Sequence, residues 1–470
     1  MSNQNEASVP KKKKFEIPPA FALLVIMILI AVVCTWILPS GEFDREVNDA
    51  GQSLVVAGSY HSVEAEAVTP WEGFLAIPQG MVSAATTIFG VLLIGASFTI
   101  IVSTGAIQSV LGKVGKVFKG REMWMIPIIM IIASAMCCFI GLLELSMVII
   151  PILIPICLTL GFDSMTAISM ALISTAAGFG AAVANPFTVV VAQTIGEMPL
   201  YSGAGYRAFC VVLITLIGII YVMRHAAKVR KNPQLSITYE TDKQLRTEYG
   251  VGETAELTGR RKLALLVFVI CFVILIIGAL GFSWGLTEIG TMFLITGILV
   301  GFICKMSLEE LCDRFGEGLS SFVGAALVSG FASGVTIVMQ EGKIIDTVIN
   351  AVAQLVQSLP PSVAAVGMML VQLVISFIVP SGTGQALISM PIMFPLADIV
   401  GITRQVAVLA FQFSDGFSNI MWPTLGYLWV CIGYGKIKYE QWFKFIIPLM
   451  GIWYLVSAIL LVAAQGIGWS

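Results

Sequence analysis

Long apolar runs, separated by short polar segments, fill most of this chain of 470 residues. Many of the runs reach 18 or more residues, the length at which an apolar helix can span a membrane. The composition agrees, because 57% of the residues are hydrophobic and only 11% are charged, against about 25% charged in soluble domains. The pattern predicts an all-α polytopic membrane protein.

Polar residues interrupt the apolar pattern twice between residues 378 and 424. The first interruption, residues 379–385, has the sequence VPSGTGQ, and the second extends from Ser414 to Thr424. Backbone outside a helix is tolerated at membrane depth only where protein buries it or water reaches it. We therefore expect a solute or an ion to bind at these interruptions.

The positions of the basic residues predict which side of the membrane each segment faces. All but four of the 26 Lys and Arg fall on one side if two apolar segments are re-entrant hairpins rather than full spans. The positive-inside rule makes that side cytoplasmic. The exceptions are Arg45, Arg207, Lys343 and Arg404, and we expect Arg207 and Arg404 to anchor lipid headgroups near the outer surface.

This topology divides the chain into six parts. They are a cytoplasmic tail (1–18), a first transmembrane helix (19–39), a first inverted repeat (79–224, with hairpin 123–161 and broken helix 163–199), a cytoplasmic linker (225–262), two scaffold helices (263–304) and a second inverted repeat (305–465, with hairpin 361–400 and broken helix 403–435). An acidic outer loop, residues 40–78, is predicted before the first repeat, which begins with a second helix from Gln79 to Val102 and a basic segment with Lys113, Lys116 and Lys119.

An internal repeat supports the division. The motif P-x-x-x-P at Pro151 recurs at Pro391, 240 residues later, and the interruption ending at Pro186 recurs at Pro423, 237 residues later. The two copies begin on opposite sides of the membrane in the predicted topology. Inverted repeats with discontinuous helices are typical of secondary transporters.

The hairpin tips are candidate binding elements. The second arm of each hairpin begins with unpaired amides, and these favour an anionic group such as a carboxylate. In the second tip, the side chains of Ser381, Thr383 and Gln385 add donors, while Gly382 and Gly384 let a ligand approach the backbone. The alternative is a plain turn between two helices.

Two carboxylates are the strongest candidates for chemistry. Glu144 lies at the first hairpin tip and Asp415 at the second broken crossing. A carboxylate at the centre of a membrane helix costs roughly 2.5–3.5 kcal/mol, so its presence favours a function. These groups pair with a cationic substrate, hold a cation or take up a proton; the alternative is that each caps a helix N-terminus.

Further polar residues near the interruptions complete the predicted substrate site. They are Ser146, Asn185, Thr188, Ser418, Asn419 and Thr424, and a Na⁺ site is predicted near Gly180, Asn185, Gly382 and Asn419. The alternative is that such small and polar residues only allow close packing of helices.

Other function classes have little support in the sequence. Neither tip and neither interruption contains Lys or Arg, so the predicted site is net acidic and favours a cationic or zwitterionic substrate over a dicarboxylate. Only two histidines occur, His61 and His225, and no metal-ligand motif or Walker loop is present. We expect no enzymatic activity, no cofactor beyond a coupling Na⁺ or H⁺, and no nucleic-acid partner.

The sequence resembles the YfcC/ArcD-like branch of the C4-dicarboxylate anaerobic carrier family, within the ion transporter superfamily. The resemblance rests on the Lys-rich N-terminus, on Trp36-Ile-Leu-Pro39-Ser-Gly41, on the Pro-Ser-Gly-Thr-Gly tip and on the two P-x-x-x-P arms. The Ser-Asn-Thr tip motif of the superfamily is replaced by Ser381-Gly382-Thr383 in one copy and by residues 143–146 in the other.

The resemblance implies an elevator-type antiporter that forms a homodimer in a bacterial inner membrane, with a cytoplasmic N-terminus. It implies transport of amino acids, chiefly basic ones, by arginine/ornithine exchange. Two alternatives remain open, namely a Na⁺- or H⁺-coupled transporter of C4-dicarboxylates or other carboxylates, and a channel.

Overall fold

The computed structural model describes residues 20–47, 53–109, 111, 120–141, 143–251, 256–282, 284–357 and 359–469. The predicted cytoplasmic tail, residues 1–18, lies outside the described residues, as do Lys113, Lys116 and Lys119 of the basic segment that follows the second predicted helix.

Helices account for most of the described chain. Its 18 α-helices are α1 (Ala20–Ile37), α2 (Pro70–Ser83), α3 (Ala85–Ser103), α4 (Met125–Ile140), α5 (Leu145–Thr159), α6 (Ser164–Gly180), α7 (Val189–Ile195), α8 (Ala204–Lys231), α9 (Tyr239–Glu248), α10 (Gly259–Gly281), α11 (Leu286–Ile303), α12 (Leu308–Glu341), α13 (Ile345–Val356), α14 (Pro361–Ile378), α15 (Gly382–Val400), α16 (Arg404–Ser418), α17 (Gly426–Tyr434) and α18 (Tyr439–Gly466). Two short antiparallel pairs join β1 (Gly41–Glu42) to β4 (His61–Ser62) and β2 (Arg45–Val47) to β3 (Ser53–Val55).

The predicted fold class, an all-α polytopic membrane protein, is confirmed. In the described part of the chain, nine helices are long and apolar enough to cross a membrane. They include α4, α14 and α15, which are hairpin arms. Length and composition do not separate a full span from a re-entrant arm, so the re-entrant placement of the hairpins stays a prediction.

Each half of the chain contains a helical hairpin. In the first hairpin, α4 ends at Gly141, whose φ of +73° is a left-handed conformation that glycine adopts at little cost. In the second hairpin, Ser381 caps α15, because its hydroxyl accepts a hydrogen bond from the Gly384 amide at 3.2 Å. The tip of the second hairpin is therefore shorter than predicted, since the helix already begins at Gly382.

Each half also contains a broken crossing. The first consists of α6 and α7 with residues 181–188 between them, and the second of α16 and α17 with residues 419–425 between them. Both intervals contain a proline, Pro186 or Pro423, which cannot donate a helix hydrogen bond. The prediction that the second break begins at Ser414 is wrong, because α16 continues to Ser418 and the Ser414 hydroxyl donates to the Ala410 carbonyl of the preceding turn at 3.0 Å.

The predicted outer loop, residues 40–78, also needs correction. It contains α2, which begins with Pro70 and is capped by Thr69 and Glu72 in a reciprocal capping box. The predicted second helix, from Gln79, is consequently the end of α2 followed by α3, with a joint at Ala84.

The helices pack in two groups. In the first, α12 lies against α1, α2 and α3, and α11 lies between α3 and α10. In the second, the hairpins and broken crossings pack on one another and on α8 and α18, and α17 also packs on α12 of the first group. Gly416 of α16 faces Gly180 of α6 so closely that a Cβ at either position would clash, which brings the two broken crossings into backbone contact.

Charged residues distinguish the two ends of the molecule. Arg261 and Arg314 lie at one end beside Glu248, which is paired with Lys436 at 2.6 Å; we call this end the basic face. Helix α10 has 23 residues and is therefore about 34 Å long, so the α10–α11 connection lies at the opposite end. We call that end the acidic face, where Lys343 pairs with Glu42 at 3.3 Å.

Arg207 does not lie at the surface, so its prediction as a headgroup anchor is wrong. The side chain is 0% exposed, its guanidinium donates to Gln412 and, at 2.9 Å, to Gln405, and it lies 5.4 Å from the centre of the Trp469 ring. The C-terminal residues cover this arginine, and a hydropathy pattern contains no information about such a long-range contact.

Candidate functional site

The tip of the second hairpin touches both broken crossings. A Cβ placed on Gly382 would lie 2.9 Å from Asp415 Oδ2 of α16 and 2.9 Å from Thr188 Cγ2, which ends the first break. Beside it, the Thr383 hydroxyl donates to the Phe187 carbonyl at 2.9 Å. Only glycine allows so close an approach at this point, which joins residues almost 200 positions apart.

The tip of the first hairpin contacts the first break in a similar way. Gly141 lies directly against the side chain of Asn185, whose Oδ1 accepts a hydrogen bond from the Phe187 amide at 2.9 Å. Glu144 is the residue before α5, but its side chain makes no capping hydrogen bond. The alternative in which Glu144 caps a helix is therefore not realised, and Asp415, inside α16, does not cap one either.

A cavity of about 350 Å³ lies where the tips and breaks meet. Its lining comes from both tips, both breaks and the start of α11: Gly141, Leu143, Glu144, Phe179, Phe187, Gly285, Leu286, Ile289, Pro380, Ser381, Gly382, Thr383, Asn419, Leu425 and Tyr427. A volume of this size lies at the lower end of the range for small-molecule sites. Because the start of α11 lies towards the acidic face, the cavity extends towards that end of the molecule.

Several buried polar atoms near the cavity have no hydrogen-bond partner among the described residues. They are Asn185 Nδ2, Thr188 Oγ1, Asp415 Oδ2, Thr424 Oγ1 and Tyr427 Oη. Buried polar atoms are nearly always paired, and each exception needs an explanation. Here donors and acceptors gather at the meeting point of four discontinuous segments, which is the arrangement expected where a polar ligand or an ion supplies the missing partners.

The charged side chains found at the cavity among the described residues are acidic. Glu144 lines it, Asp415 lies directly behind Gly382, and no Lys or Arg is among its lining residues. Asp415 is 1% exposed and Asn419 is 4% exposed, so bulk solvent screens the charges in this region weakly. The arrangement favours a ligand with a positive end.

Most of the predicted site residues lie in or directly beside the cavity. Those that line the cavity are Glu144, Ser381, Gly382, Thr383 and Asn419. Four more are buried directly behind the lining. Asn185 lies against Gly141, Thr188 and Asp415 lie against Gly382, and Thr424 precedes Leu425 in the chain. Gly180, predicted near a Na⁺ site, lies at the contact with Gly416 and is not among the lining residues.

Four predicted residues point to other partners. The Ser146 hydroxyl donates to the Leu143 carbonyl at 2.7 Å, and the Ser418 hydroxyl donates to Ser376 at 2.9 Å. Gln385 donates to the Gln372 side chain of the other hairpin arm at 2.7 Å. The Gly384 amide is used by the cap of α15. These contacts hold the hairpins and α16 together, and none of the four residues lines the cavity.

Aromatic side chains of the cavity were missed by the sequence analysis. Phe179 is the second-last residue of α6, Phe187 lies in the first break, and Tyr427 is the second residue of α17. In the sequence they are indistinguishable from core residues of apolar runs. Their position near Pro186 and Pro423 is the one signal that could have identified them, because residues beside a break can face the space that the break opens.

Among the described residues, no group of three or more His, Cys, Asp or Glu side chains is placed to hold a metal ion. The predicted Na⁺ site, which would use backbone and amide oxygens near Asn185 and Asn419, stays a prediction.

Comparisons with known proteins cover nearly the whole chain. Residues 17–466 match the family model described as C4-dicarboxylate anaerobic carrier. The chain is 31% identical to the Escherichia coli K12 protein named "Putative basic amino acid antiporter YfcC", over 97% of this chain and 98% of that protein. It is 29% identical to an uncharacterized protein of Haemophilus influenzae, over 96% of this chain and 97% of the relative.

A solved structure gives a weaker likeness. The structure of Neisseria gonorrhoeae MtrF, described as one of a class of antimetabolite efflux pumps, superposes with a TM-score of 0.42 at 15% identity, over 95% of this chain and 94% of that one. At this level the likeness carries no argument about the site.

Proposed function

The chain belongs to the C4-dicarboxylate anaerobic carrier family of secondary transporters, and on this premise we propose that it exchanges basic amino acids across the membrane. The observation that carries the proposal is the charge of the cavity. Glu144 lines it, Asp415 lies behind its glycine tip, and none of its lining residues is Lys or Arg. The second carboxylate of a dicarboxylate would meet the like charge of Glu144, whereas the cationic end of arginine or ornithine would meet an opposite charge there.

The two ends of a basic amino acid fit different parts of the cavity. Its α-carboxylate would bind at the start of α15, where Gly382 and Thr383 line the cavity and the helix dipole favours an anion. A proton or Na⁺ at the neighbouring Asp415 would offset the like charge behind Gly382. Its guanidinium or ammonium group would lie towards Glu144. Phe179, Phe187 and Tyr427 would offer aromatic faces to this cation.

The printed name of the Escherichia coli relative supports the same substrate class. That protein is named for basic amino acid antiport, and it aligns with 97% of this chain. We further propose that the protein works by an elevator movement as a homodimer in a bacterial inner membrane, with the basic face in the cytoplasm. Where a coupling ion is needed, Na⁺ or H⁺ would bind near Asp415 and Asn419.

Transport by the purified protein in proteoliposomes tests the proposal. Vesicles preloaded with ornithine should take up labelled arginine, with saturation, and vesicles without ornithine should take up little. Glu144→Gln should lower this exchange about 100-fold, because a desolvated charge pair with the substrate is worth roughly 3 kcal/mol.

Asp398→Asn is the matched control, because Asp398 is an exposed carboxylate paired with Arg404 at 2.7 Å, and this variant should exchange normally. Three outcomes would overturn the proposal. One is uptake of a C4-dicarboxylate without uptake of arginine. Another is flux without saturation or exchange, as in a channel. The third is an equal loss of exchange in both variants.

A further inference from the structure

Two separate cavities approach each other from opposite faces of the protein. Besides the candidate site, a cavity of about 930 Å³ lies at the basic face, between α3, α12 and the linker helix α9. Its lining includes the charged residues Glu248, Arg261 and Arg314, and also Phe322 of α12. The two cavities share no lining residue, so a wall of protein separates them.

Helix α17 passes through this wall. Tyr427, near its start, lines the candidate site, and Tyr434, at its end, packs against Phe322 with ring centroids 4.9 Å apart. Seven residues of helix measure about 10 Å, so the wall is only about two helical turns thick. The Phe322–Tyr434 contact forms the side of this wall that faces the cavity at the basic face.

Phe322 is closely fitted between the two helix groups. A Cβ on Gly95 of α3 would lie 2.5 Å from Phe322 Cγ, so only glycine at that position leaves room for the ring. On the other side, Tyr434 is 3% exposed, and its hydroxyl has no hydrogen-bond partner among the described residues. The contact between the rings is therefore apolar and can separate without breaking a hydrogen bond.

From this geometry we propose that Phe322 and Tyr434 form the gate that closes the candidate site from the basic face. Phe322 lies on α12 and Tyr434 on α17, which packs on α12 on one side and on α5 of the first hairpin on the other, so a movement of α17 with the hairpin away from α12 separates the two rings. The cavity at the basic face is then the vestibule into which the site opens. The inference rests on the proposed transport function but not on the identity of the substrate.

Cys431 provides a reporter for this gate. It lies on α17 between Tyr427 and Tyr434, it is 0% exposed, and its Sγ is 3.6 Å from the Ser146 hydroxyl. We would expose the basic face to a membrane-impermeant maleimide in oriented vesicles and measure the labelling of each cysteine by mass spectrometry. All nine native cysteines are retained, because the measurement resolves them individually.

Phe322→Ala should raise the rate of Cys431 labelling from the basic face about tenfold, since labelling follows the open population. Gly95→Ala should raise it as well by displacing the ring, and adding it to Phe322→Ala should have no further effect. The matched control is Phe331→Ala on the same helix, because Phe331 packs on Phe21 of α1 at 4.9 Å and should leave labelling unchanged.

Equal labelling of Cys431 in the native protein and in Phe322→Ala would overturn the gate, as would an equal rise in Phe331→Ala. If Phe322→Ala does not fold, Phe322→Leu carries the same expectation with a smaller rise. The assay needs no substrate, so failure of arginine exchange leaves its outcome interpretable. The two proposals therefore fail independently.

Discussion

Replacing Gly382 by alanine tests whether the tip of the second hairpin must fit between the two broken crossings. The added Cβ would lie 2.9 Å from Asp415 Oδ2 and 2.9 Å from Thr188 Cγ2. Favourable contacts between carbon atoms occur at about 3.5–4.0 Å, so the tip must withdraw by roughly 0.5–1 Å. Withdrawal would separate the tip from both breaks at once.

The size of the effect follows from two opposing contributions. Overpacking of a close-fitted site costs about 1–3 kcal/mol, whereas alanine in place of glycine in a helix contributes at most about 1 kcal/mol. The net destabilisation of the closed site is about 1–2 kcal/mol. If this energy opposes substrate binding, the half-saturating arginine concentration should rise about 5- to 30-fold.

Gly384→Ala is the matched control, two residues further along the same helix. Its Cβ would meet Ser381 at 3.2 Å and Val379 at 3.7 Å, both in its own tip, and a shift of a few tenths of an ångström relieves the closer contact. The assay is arginine/ornithine exchange in proteoliposomes, with the amount of folded protein measured by size-exclusion chromatography. Equal half-saturating concentrations in Gly382→Ala and the native protein, or equal increases in both variants, would refute the reasoning.

Three further substitutions separate function from stability. Asp415→Asn should abolish exchange without loss of folded protein, and retained exchange would remove this carboxylate from the site. Tyr427→Phe deletes a buried hydroxyl that has no described partner, so it should raise thermal stability by about 1 kcal/mol and also raise the half-saturating arginine concentration; a loss of stability would show that the hydroxyl is paired. Gly416→Ala clashes with the backbone of α6 and should destabilise the protein by about 3 kcal/mol or more in thermal unfolding, whereas a Cβ on Gly451 meets no atom within 4 Å and Gly451→Ala should stabilise slightly. Equal melting temperatures for these two glycine variants would contradict the close crossing.

Local signals in the sequence predicted the elements but not all of their ends. Proline and glycine mark the interruptions, and hydropathy marks the arms around them, so both hairpins and both broken crossings were recognised. The sequence pattern predicts the end of α16 too early, because Ser414 and Asp415 are residue types that often end helices. Inside a protein their polar groups can be satisfied without leaving the helix, as the hydrogen bond from Ser414 to Ala410 shows.

Contacts between distant segments were beyond a pattern-based prediction. Arg207 lies at the start of a membrane helix, where a basic residue is usually a surface anchor, but Trp469 and the glutamines of α16 cover it. Gln385 was assigned to the site because it follows the glycine tip. Its side chain instead donates to Gln372 of the other arm, a contact that no local pattern in the sequence specifies.

The two carboxylates are not copies of each other, and this asymmetry bears on substrate orientation. At the spacing of 240 residues that aligns the hairpins, Glu144 corresponds to Gly384; at the spacing of 237 that aligns the breaks, Asp415 corresponds to Gly178. Each half therefore has an acid where the other half has glycine.

The structure explains why the first half carries only one of the acids. A Cβ on Gly178 would collide with the backbone of Ser134 in the first hairpin, so no side chain fits there. In the second half, the Gly384 amide belongs to the cap that starts α15. One hairpin tip thus provides a carboxylate, and the other provides a helix N-terminus lined by Gly382 and Thr383. A symmetric pair of tips would bind an amino acid in two opposite orientations equally well. The tips found here differ in charge, so the two ends of a bound amino acid are distinguished by the half of the chain that each one meets.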